Sequence, residues 1–303
     1  MGGYGSFNQY NWVHVPVGTG TPRTGGTCND SNRPVIFIAP GNLLVNSLPS
    51  LYGNLIENMV SNGYIVVYSN YAGKSPDPAY NKIFTGFQYA ASTLNANSGY
   101  RMDLSNIGVW GHSFGAGAIP WLAQQVATTG WGSNSMWFAL NATSYVYLNG
   151  SLPQTGTITM PSNAHVQIVA YNDDSVVDQG WAFDVFNSIS TPASQKHIIQ
   201  IEPDGTYKAE HTLPSGNNSN INYMTYYGVY KNYQAVADCA RFGTNCATSV
   251  LKDMGQFSGR PAPLAATPAL VDELPLQEIY HSGGPTGPKC DVPPDTGKPV
   301  RTC

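Results

Sequence analysis

Short apolar runs alternate along this chain with segments in which apolar residues recur at helical spacing. The runs that predict strands are residues 35–39, 64–68, 107–110, 145–148, 166–170 and 197–201, with an edge strand near residues 12–17. Runs this short and continuous are typical of strands that are buried on both faces. The segments that predict helices are residues 48–62, 83–94, 116–126, 181–188 and 227–240.

This alternation predicts an α/β fold in which a mostly parallel sheet carries helices on both faces. Asn62-Gly63 ends the first helical segment in the manner of a left-handed C-cap. After residue 258 the chain becomes rich in Pro and Gly and loses its periodicity. We therefore expect one domain, residues 1–258, with residues 259–303 as an irregular tail packed on it.

Composition narrows the classes of partner. Charged residues make up 11% of the chain, the formal net charge is −4, and no run of Lys or Arg is present. These features argue against nucleic acid and anionic membranes as partners. No apolar stretch reaches the roughly 18 residues of a transmembrane helix. A polar surface built from Asn, Ser, Thr, Gln and 19 Tyr favours a secreted protein, whose signal peptide is absent from this sequence.

Five cysteines leave the disulfide scheme open. Cys239 and Cys246 are close enough for a short loop disulfide, Cys290 and Cys303 could fasten the tail, and Cys28 is then left over. Five reduced thiols are the alternative, because spacing does not determine pairing. No His or Cys cluster has metal-ligand spacing, so we expect no metal and no cofactor, with a loop-bound calcium ion as an open alternative.

The strongest chemical signal is the Gly-His-Ser-Phe-Gly sequence of residues 111–115. A serine hydroxyl is a weak nucleophile, so it must be exposed beside a base and near N–H donors for the oxyanion. Gly-x-Ser-x-Gly between a strand and a helix allows a tight turn that projects the serine. The predicted strand and helix on either side supply that context. We predict Ser113 as the nucleophile, the alternative being an ordinary Gly-rich turn.

Two loops are predicted to supply the oxyanion donors. One donor is the Phe114 N–H, at the start of the helix that follows Ser113. The other is the Asn42 N–H of Pro40-Gly41-Asn42, which follows an earlier strand. A plain turn is the alternative for this second loop.

The acid and the base should follow Ser113 in that order. Asp173 and Asp174 both follow a strand, at the carboxyl end of the sheet where catalytic groups gather. Asp174 is the predicted acid because it precedes the apolar Val176-Val177 pair, whereas Asp173 or Asp178 could cap the next helix. His211 is the predicted base, in a loop after the last predicted strand. A surface histidine is the alternative to this assignment.

These motifs resemble the secreted, lidless α/β-hydrolases, which include cutinases, polyester (PET) hydrolases and dienelactone-hydrolase-like esterases. The resemblance spans residues 34–212 and rests on Pro40-Gly41-Asn42, residues 62–67, residues 111–118, Asp174-Ser175 and Ala209-Glu210-His211. It implies an α/β-hydrolase fold with Ser113, Asp174 and His211 as the catalytic triad. It also implies oxyanion N–H groups from Asn42 and Phe114. The sequence departs from the polyesterase pattern, which has Met at 114 and an aromatic residue near 42.

We therefore expect a monomeric serine carboxylic-ester hydrolase that acts on bulky, aromatic or polymeric esters. No segment between Ser113 and Asp174 is long enough to form a multi-helix lid. Leu43, Trp137 and Trp181 are candidate substrate-binding residues, and the alternative for each is a place in the core. A peptidase or amidase of the same fold and a non-catalytic binding protein are the competing functions.

Overall fold

One sheet organises the molecule. The computed structural model describes residues 2–8, 11–16, 24, 32–42, 48–71, 76–97, 100–144, 146, 156–201, 203, 207–215, 223–246 and 271–273. Its strands are β1 (Gly2–Asn8), β2 (Asn11–Val15), β3 (Asn32–Ala39), β4 (Ile65–Ser69), β5 (Arg101–His112), β6 (Ser135–Asn141), β7 (Ala164–Tyr171), β8 (Lys196–Ile201) and β9 (Val271–Glu273). Their order is β1-β2-β4-β3-β5-β6-β7-β8-β9. Strands β3 to β8 are mutually parallel, and β1, β2 and β9 are antiparallel to their neighbours.

Helices cover both faces of the sheet. They are α1 (Gly53–Ser61), α2 (Pro76–Asn97), α3 (Phe114–Thr128), α4 (Gly180–Ser188), α5 (Tyr223–Thr225) and α6 (Lys231–Phe242), with a π-helical turn, Tyr226–Tyr230, joining the last two. Helices α2, α3 and α4 pack in one core, and α1 and α6 pack in the other. The predicted α/β class, with helices on both sides of a mostly parallel sheet, is confirmed. Across the described ranges, no helix is both long and apolar enough to span a bilayer.

The two cores explain the continuous apolar runs. Along β3, Val35 and Phe37 belong to the core with α2 and α3, whereas Ile36 and Ile38 belong to the core with α1. A strand between two helical layers has no solvent-facing side, so the usual alternation of apolar and polar residues is lost. The N–H and C=O groups of β3 are paired with β4 and β5.

One predicted strand is in a different place. The sequence favoured residues 145–148, but β6 is Ser135–Asn141, and Val146 is not in a strand. Residues 145, 147 and 148 lie outside the described residues. Both segments are short apolar runs of strand length. Which segment forms the strand depends on which one can hydrogen-bond to both β5 and β7, and the local sequence pattern does not contain that information.

Part of the predicted irregular tail joins the sheet. Val271–Glu273 pairs antiparallel with β8, so a short strand occurs within residues 259–303. The rest of that tail lies outside the described residues.

The strand order creates a topological switch point at the carboxyl ends of β3 and β5. After β3 the chain moves to β4 on one side, then returns to β5 on the other side and continues outward to β8. The loops after β3 and β5 therefore leave in opposite directions. Ligands in open α/β sheets bind at such a switch point, outside the carboxyl ends of the strands.

Candidate active site

Ser113 occupies a strained turn at this switch point, between β5 and α3. Its backbone has φ 55° and ψ −121°, a region that residues with a side chain rarely adopt. A Cβ on Gly115 would overlap the Ala39 carbonyl, and one on Gly111 would lie 2.7 Å from the Gly115 oxygen. The Ser113 N–H donates to the Asn141 carbonyl at 2.9 Å. The two glycines thus let helix and strands approach closely enough to hold the turn.

A buried acid–imidazole pair lies on two further loops of the same sheet edge. His211 Nδ1 lies 2.8 Å from Asp174 Oδ2, and the two side chains are 3% and 1% exposed. Asp174 Oδ1 accepts the N–H groups of Val176, at 2.8 Å, and Val177, at 3.0 Å. Both carboxylate oxygens are therefore fixed by donors, which sets the plane of the imidazole.

The other imidazole nitrogen has an unused lone pair. If Nδ1 donates its hydrogen to Asp174, then Nε2 of the neutral ring is an acceptor. His211 Nε2 is buried and has no hydrogen-bond partner within the described part of the chain. A buried, oriented and unpartnered imidazole nitrogen is suited to take a proton from a nearby hydroxyl.

The neighbouring aspartates have separate structural roles. Asp173 Oδ2 accepts the Ala209 N–H at 2.9 Å, and the Asp173 N–H donates to the Ala209 carbonyl at the same distance. These two bonds tie the loop after β7 to the loop that carries His211. Asp178 Oδ1 accepts the Gly180 N–H at 2.8 Å, where α4 begins. Asp174 pairs with the imidazole of His211.

His112, which the sequence analysis placed only inside the turn, connects three loops. Its Nε2 lies 2.8 Å from the His211 carbonyl oxygen, so Nε2 carries the hydrogen and donates it. The Tyr52 hydroxyl then donates to His112 Nδ1 at 2.9 Å and accepts the Gly41 N–H at 3.0 Å. Complete burial, with His211 as a second cause, lowers the pKa of His112 to about 3. The ring is therefore neutral at ordinary pH, as this tautomer requires.

The loop after β3 lies directly against the turn. A Cβ on Gly41 would come within 3.0 Å of His112 Nδ1 and 3.1 Å of Ser113 Cβ. Asn42, the next residue, is exposed. Phe114 is in the first turn of α3, where an N–H has no acceptor within its own helix. The two predicted oxyanion donors therefore flank the contact between Gly41 and Ser113: Asn42 directly follows Gly41, and Phe114 directly follows Ser113.

The predicted substrate-binding residues are in different environments. Trp137 is 2% exposed, and its ring covers Gly108 and stacks on Tyr233 beneath α6. The structure therefore places Trp137 in the core and does not bring it to Ser113. Trp181 is half-buried in the first turn of α4, and its role stays a prediction. Leu43 lies outside the described residues.

The aromatic groups that do lie beside the turn are tyrosines. The Phe114 ring packs against Tyr71 at 5.0 Å and Tyr80 at 5.2 Å between ring centroids. Sequence pattern did not single these tyrosines out, because Tyr71 follows a strand and Tyr80 lies in a helix without any local motif. All three rings belong to the core with α2 and α3, and only Phe114, at 9% exposed, retains more than a few per cent of accessible surface.

Comparisons with protein-family models and with curated proteins identify no relative of this chain. The described residues contain no group of three or more His, Cys, Asp or Glu side chains that could hold a metal ion. The chemistry of the site therefore has to be inferred from its own atoms.

Proposed function

We propose that this chain is a serine hydrolase of the α/β-hydrolase fold that cleaves carboxylic esters through an acyl-enzyme on Ser113. The observation that carries the proposal is the unpartnered Nε2 of His211, a buried imidazole whose other nitrogen is held by Asp174. Ser113 supports it through a strained backbone at the end of a sheet strand, the geometry of a nucleophile elbow. Hydrogen bonds of Asp173, His112 and Tyr52 restrain the loops that carry Ser113, Asp174 and His211.

Each group has a defined part in the proposed reaction. His211 Nε2 takes the hydroxyl proton of Ser113 as the oxygen attacks the ester carbonyl carbon. The N–H groups of Asn42 and Phe114 stabilise the negative charge that develops on the carbonyl oxygen. His211 then gives the proton to the departing alcohol, and water releases the acid by the same steps. Asp174 keeps the imidazole oriented and stabilises its positive charge.

Bulky or aromatic esters are the proposed substrate class. Phe114 directly follows the nucleophile and is the least buried ring of its aromatic cluster, so it is the ring that we propose contacts the acyl group. The resemblance to lidless cutinases adds polymeric esters such as PET to the substrates we propose. The Cys239–Cys246 bond, with an S–S distance of 2.09 Å, is consistent with an exported protein, which we include in the proposal.

A fluorophosphonate probe tests the nucleophile directly. We expect the wild-type chain to be labelled and to hydrolyse p-nitrophenyl esters, and Ser113→Ala to lose labelling and at least about 10⁴-fold in kcat. Ser92→Ala, which changes an exposed serine on α2, is the control and should behave as wild type. Absence of labelling in the wild type, or labelling that survives Ser113→Ala, would contradict the proposal.

A substrate panel then separates the classes of hydrolase. Esters of increasing acyl length, matched amides and a polyester film would be compared under one condition. Turnover of esters with negligible turnover of amides is the expected result. Preferred cleavage of amides would instead assign the site to a peptidase or amidase.

A further inference from the structure

One buried side chain joins the strand of the nucleophile to the strand of the acid. Asn141 is the last residue of β6, which lies between β5 and β7. It is buried, and its register partners are His112 on β5 and Val169 on β7. Ser113 directly follows β5, and Asp174 lies three residues after the end of β7. Asn141 therefore stands between the segments that carry two members of the proposed triad.

The loop after β6 holds both backbone groups of Ser113. The Asn141 carbonyl accepts the Ser113 N–H at 2.9 Å, and the Ser144 N–H donates to the Ser113 carbonyl at 3.3 Å. Between these two residues, Ala142 has φ 48°, in the left-handed region that residues with a Cβ rarely adopt. Such a backbone persists only where the surrounding contacts impose it. The position of Ser113 thus depends on what holds Asn141.

The side chain of Asn141 is held by groups on both neighbouring strands. Its Oδ1 accepts the Tyr171 hydroxyl at 3.0 Å, and its Nδ2 donates to the Gly111 carbonyl at 3.3 Å. Tyr171 is buried at the end of β7, and Gly111 is the first residue of the Gly-x-Ser-x-Gly turn. A buried amide needs partners for both its oxygen and its nitrogen. Here the acid strand supplies one partner and the nucleophile strand supplies the other.

Tyr171 in turn holds the proposed acid. Its carbonyl oxygen accepts the Asp174 N–H at 3.0 Å and the Gln179 side-chain amide at 2.8 Å. Burial, with Asp174 as a second cause, raises the pKa of the Tyr171 hydroxyl, so this hydroxyl stays protonated and can donate. Hydrogen bonds and backbone thus connect the Ser113 N–H to the Asp174 N–H through two buried side chains.

We propose that Asn141, through its bond to the Tyr171 hydroxyl, is a positioning residue that fixes Ser113 relative to Asp174 during ester hydrolysis. The inference rests on the proposed function, and it assigns to the site a residue that acts through the backbone of Ser113 and not on the substrate. Attack on a carbonyl carbon requires reacting atoms about 3–3.5 Å apart and aligned, and a displacement of about 1 Å can slow the reaction by about 100-fold. A rigid link between the two strands keeps these groups in register.

Variants at the two positions test the link in the full-length chain. We expect Asn141→Ala to lower kcat for p-nitrophenyl esters by about 100-fold and Tyr171→Phe by about 10-fold, with KM changed by less than about threefold. The rate of Ser113 labelling by the fluorophosphonate probe should fall in parallel, because labelling uses the same nucleophile. A merely structural role would lower the urea midpoint of unfolding and leave kcat and labelling unchanged. Wild-type kcat in both folded variants would overturn the inference.

Tyr233→Phe is the matched control. Tyr233 is buried, and its hydroxyl donates to Asn58 Oδ1 in the core with α1 and α6. The substitution therefore also removes a hydrogen-bonded hydroxyl from a buried tyrosine, but away from the triad. We expect it to lower the urea midpoint by an amount similar to Tyr171→Phe and to leave kcat unchanged. Equal losses of kcat in these two variants would contradict the proposal, because general destabilisation would then explain both.

The double variant Asn141→Ala/Tyr171→Phe shows whether the two residues act through one bond. If they do, its kcat should equal that of Asn141→Ala, because the second substitution then removes nothing further. Multiplied losses of kcat would contradict the shared bond. If Asn141→Ala fails to fold, Tyr171→Phe with its Tyr233→Phe control still decides the proposal.

The same experiment separates this inference from the function on which it rests. Absence of wild-type labelling at Ser113 would refute the proposed function, and this inference with it. An active wild type whose Asn141 and Tyr171 variants keep full kcat would refute the inference alone.

Discussion

The two ends of β7 hold imidazoles in different ways. At the carboxyl end, the Nδ1 of His211 lies 2.8 Å from the Asp174 carboxylate, and both carboxylate oxygens have donors. At the amino end, the Nδ1 of His165 lies 3.4 Å from the sulfur of Cys239, beside the Gln167 amide, which has no hydrogen-bond partner within the described ranges. A carboxylate stabilises an imidazole that gains a proton, whereas an uncharged disulfide sulfur gives no such stabilisation. The two ends of the same strand thus place imidazoles in electrostatically different surroundings.

The difference follows from the way parallel strands are connected. Loops after β3, β5, β7 and β8 meet at the carboxyl edge, so segments distant in sequence can form a closed hydrogen-bond network there. At the amino edge, β7 and β8 begin beside the end of α6, which leaves a small cavity. The first end holds its groups through several hydrogen bonds, and the second leaves a small cavity beside them.

The largest expected effect comes from neutralising the acid at the carboxyl end. Asp174→Asn keeps the size of the side chain but no longer supports the correct imidazole tautomer, so kcat should fall by about 10⁴-fold. Asp173→Asn is the matched control, since its amide oxygen can still accept the Ala209 N–H. Steady-state ester hydrolysis measures both. Similar kcat values for the two variants would mean that Asp174 is not the acid.

The turn that carries Ser113 should tolerate no side chain at Gly115. An added methyl group overlaps the Ala39 carbonyl, so Gly115→Ala should lower the free energy of unfolding by about 3 kcal/mol. Gly53→Ala is the control, because a Cβ there meets nothing within 4 Å and Ala favours the helix. Urea denaturation gives both values. A stable Gly115→Ala protein would show that the close approach is dispensable.

Tyr52→Phe tests the bonds between the loops. Removing the hydroxyl leaves the Gly41 N–H and His112 Nδ1 unpaired, which should destabilise the protein by about 2 kcal/mol. We also expect kcat to fall by about 10-fold with little change in KM, because the displaced loops carry reacting groups. Tyr71→Phe is the control, since the Tyr71 hydroxyl has no hydrogen-bond partner in the described ranges. Equal effects of the two substitutions would exclude a positioning role for Tyr52.

Stability should depend on pH through His112. Burial lowers its pKa from 6.5 to about 3. Between these values the unfolded chain binds a proton that the folded chain does not, so the stabilisation present above pH 6.5 is lost as pH falls. From about pH 7 to about pH 5 this amounts to about 2 kcal/mol. His112→Asn should reduce the pH dependence of unfolding by that amount, measured by urea denaturation at both pH values. An unchanged dependence would contradict the assigned neutral state.

The smallest expected effect tests whether the two ends are independent. Reducing the Cys239–Cys246 disulfide should change kcat for esters by less than about twofold, because the disulfide lies at the opposite end of the sheet from Ser113. The Cys239→Ala/Cys246→Ala double variant, treated with the same reductant, is the control because it has no disulfide there to reduce. A large change in kcat in the wild type that the double variant does not show would mean that the ends are coupled.

The amount that sequence could predict varied with the range of the interactions. The strand–turn–helix around Ser113 and the order of loops carrying Asp174 and His211 were predictable, because each depends on local pattern or on chain order. His112 was not recognised as a link, since its partners Tyr52 and His211 are 60 and 99 residues away. Trp137 was predicted near the substrate, but its position opposite Gly108 buries it in the core.

The sequence by itself determined the α/β class and the segments that form most strands and helices, because buried runs and helical periods are local properties. It also determined which residues stand directly after each strand. Only the tertiary structure decided that residues 135–141, and not 145–148, form the strand between β5 and β7. It also decided that Tyr52 and His112 join three loops, and that His165 and His197 line a cavity beside a disulfide. Those features depend on which distant segments become neighbours when the sheet assembles, and on the space that remains between them.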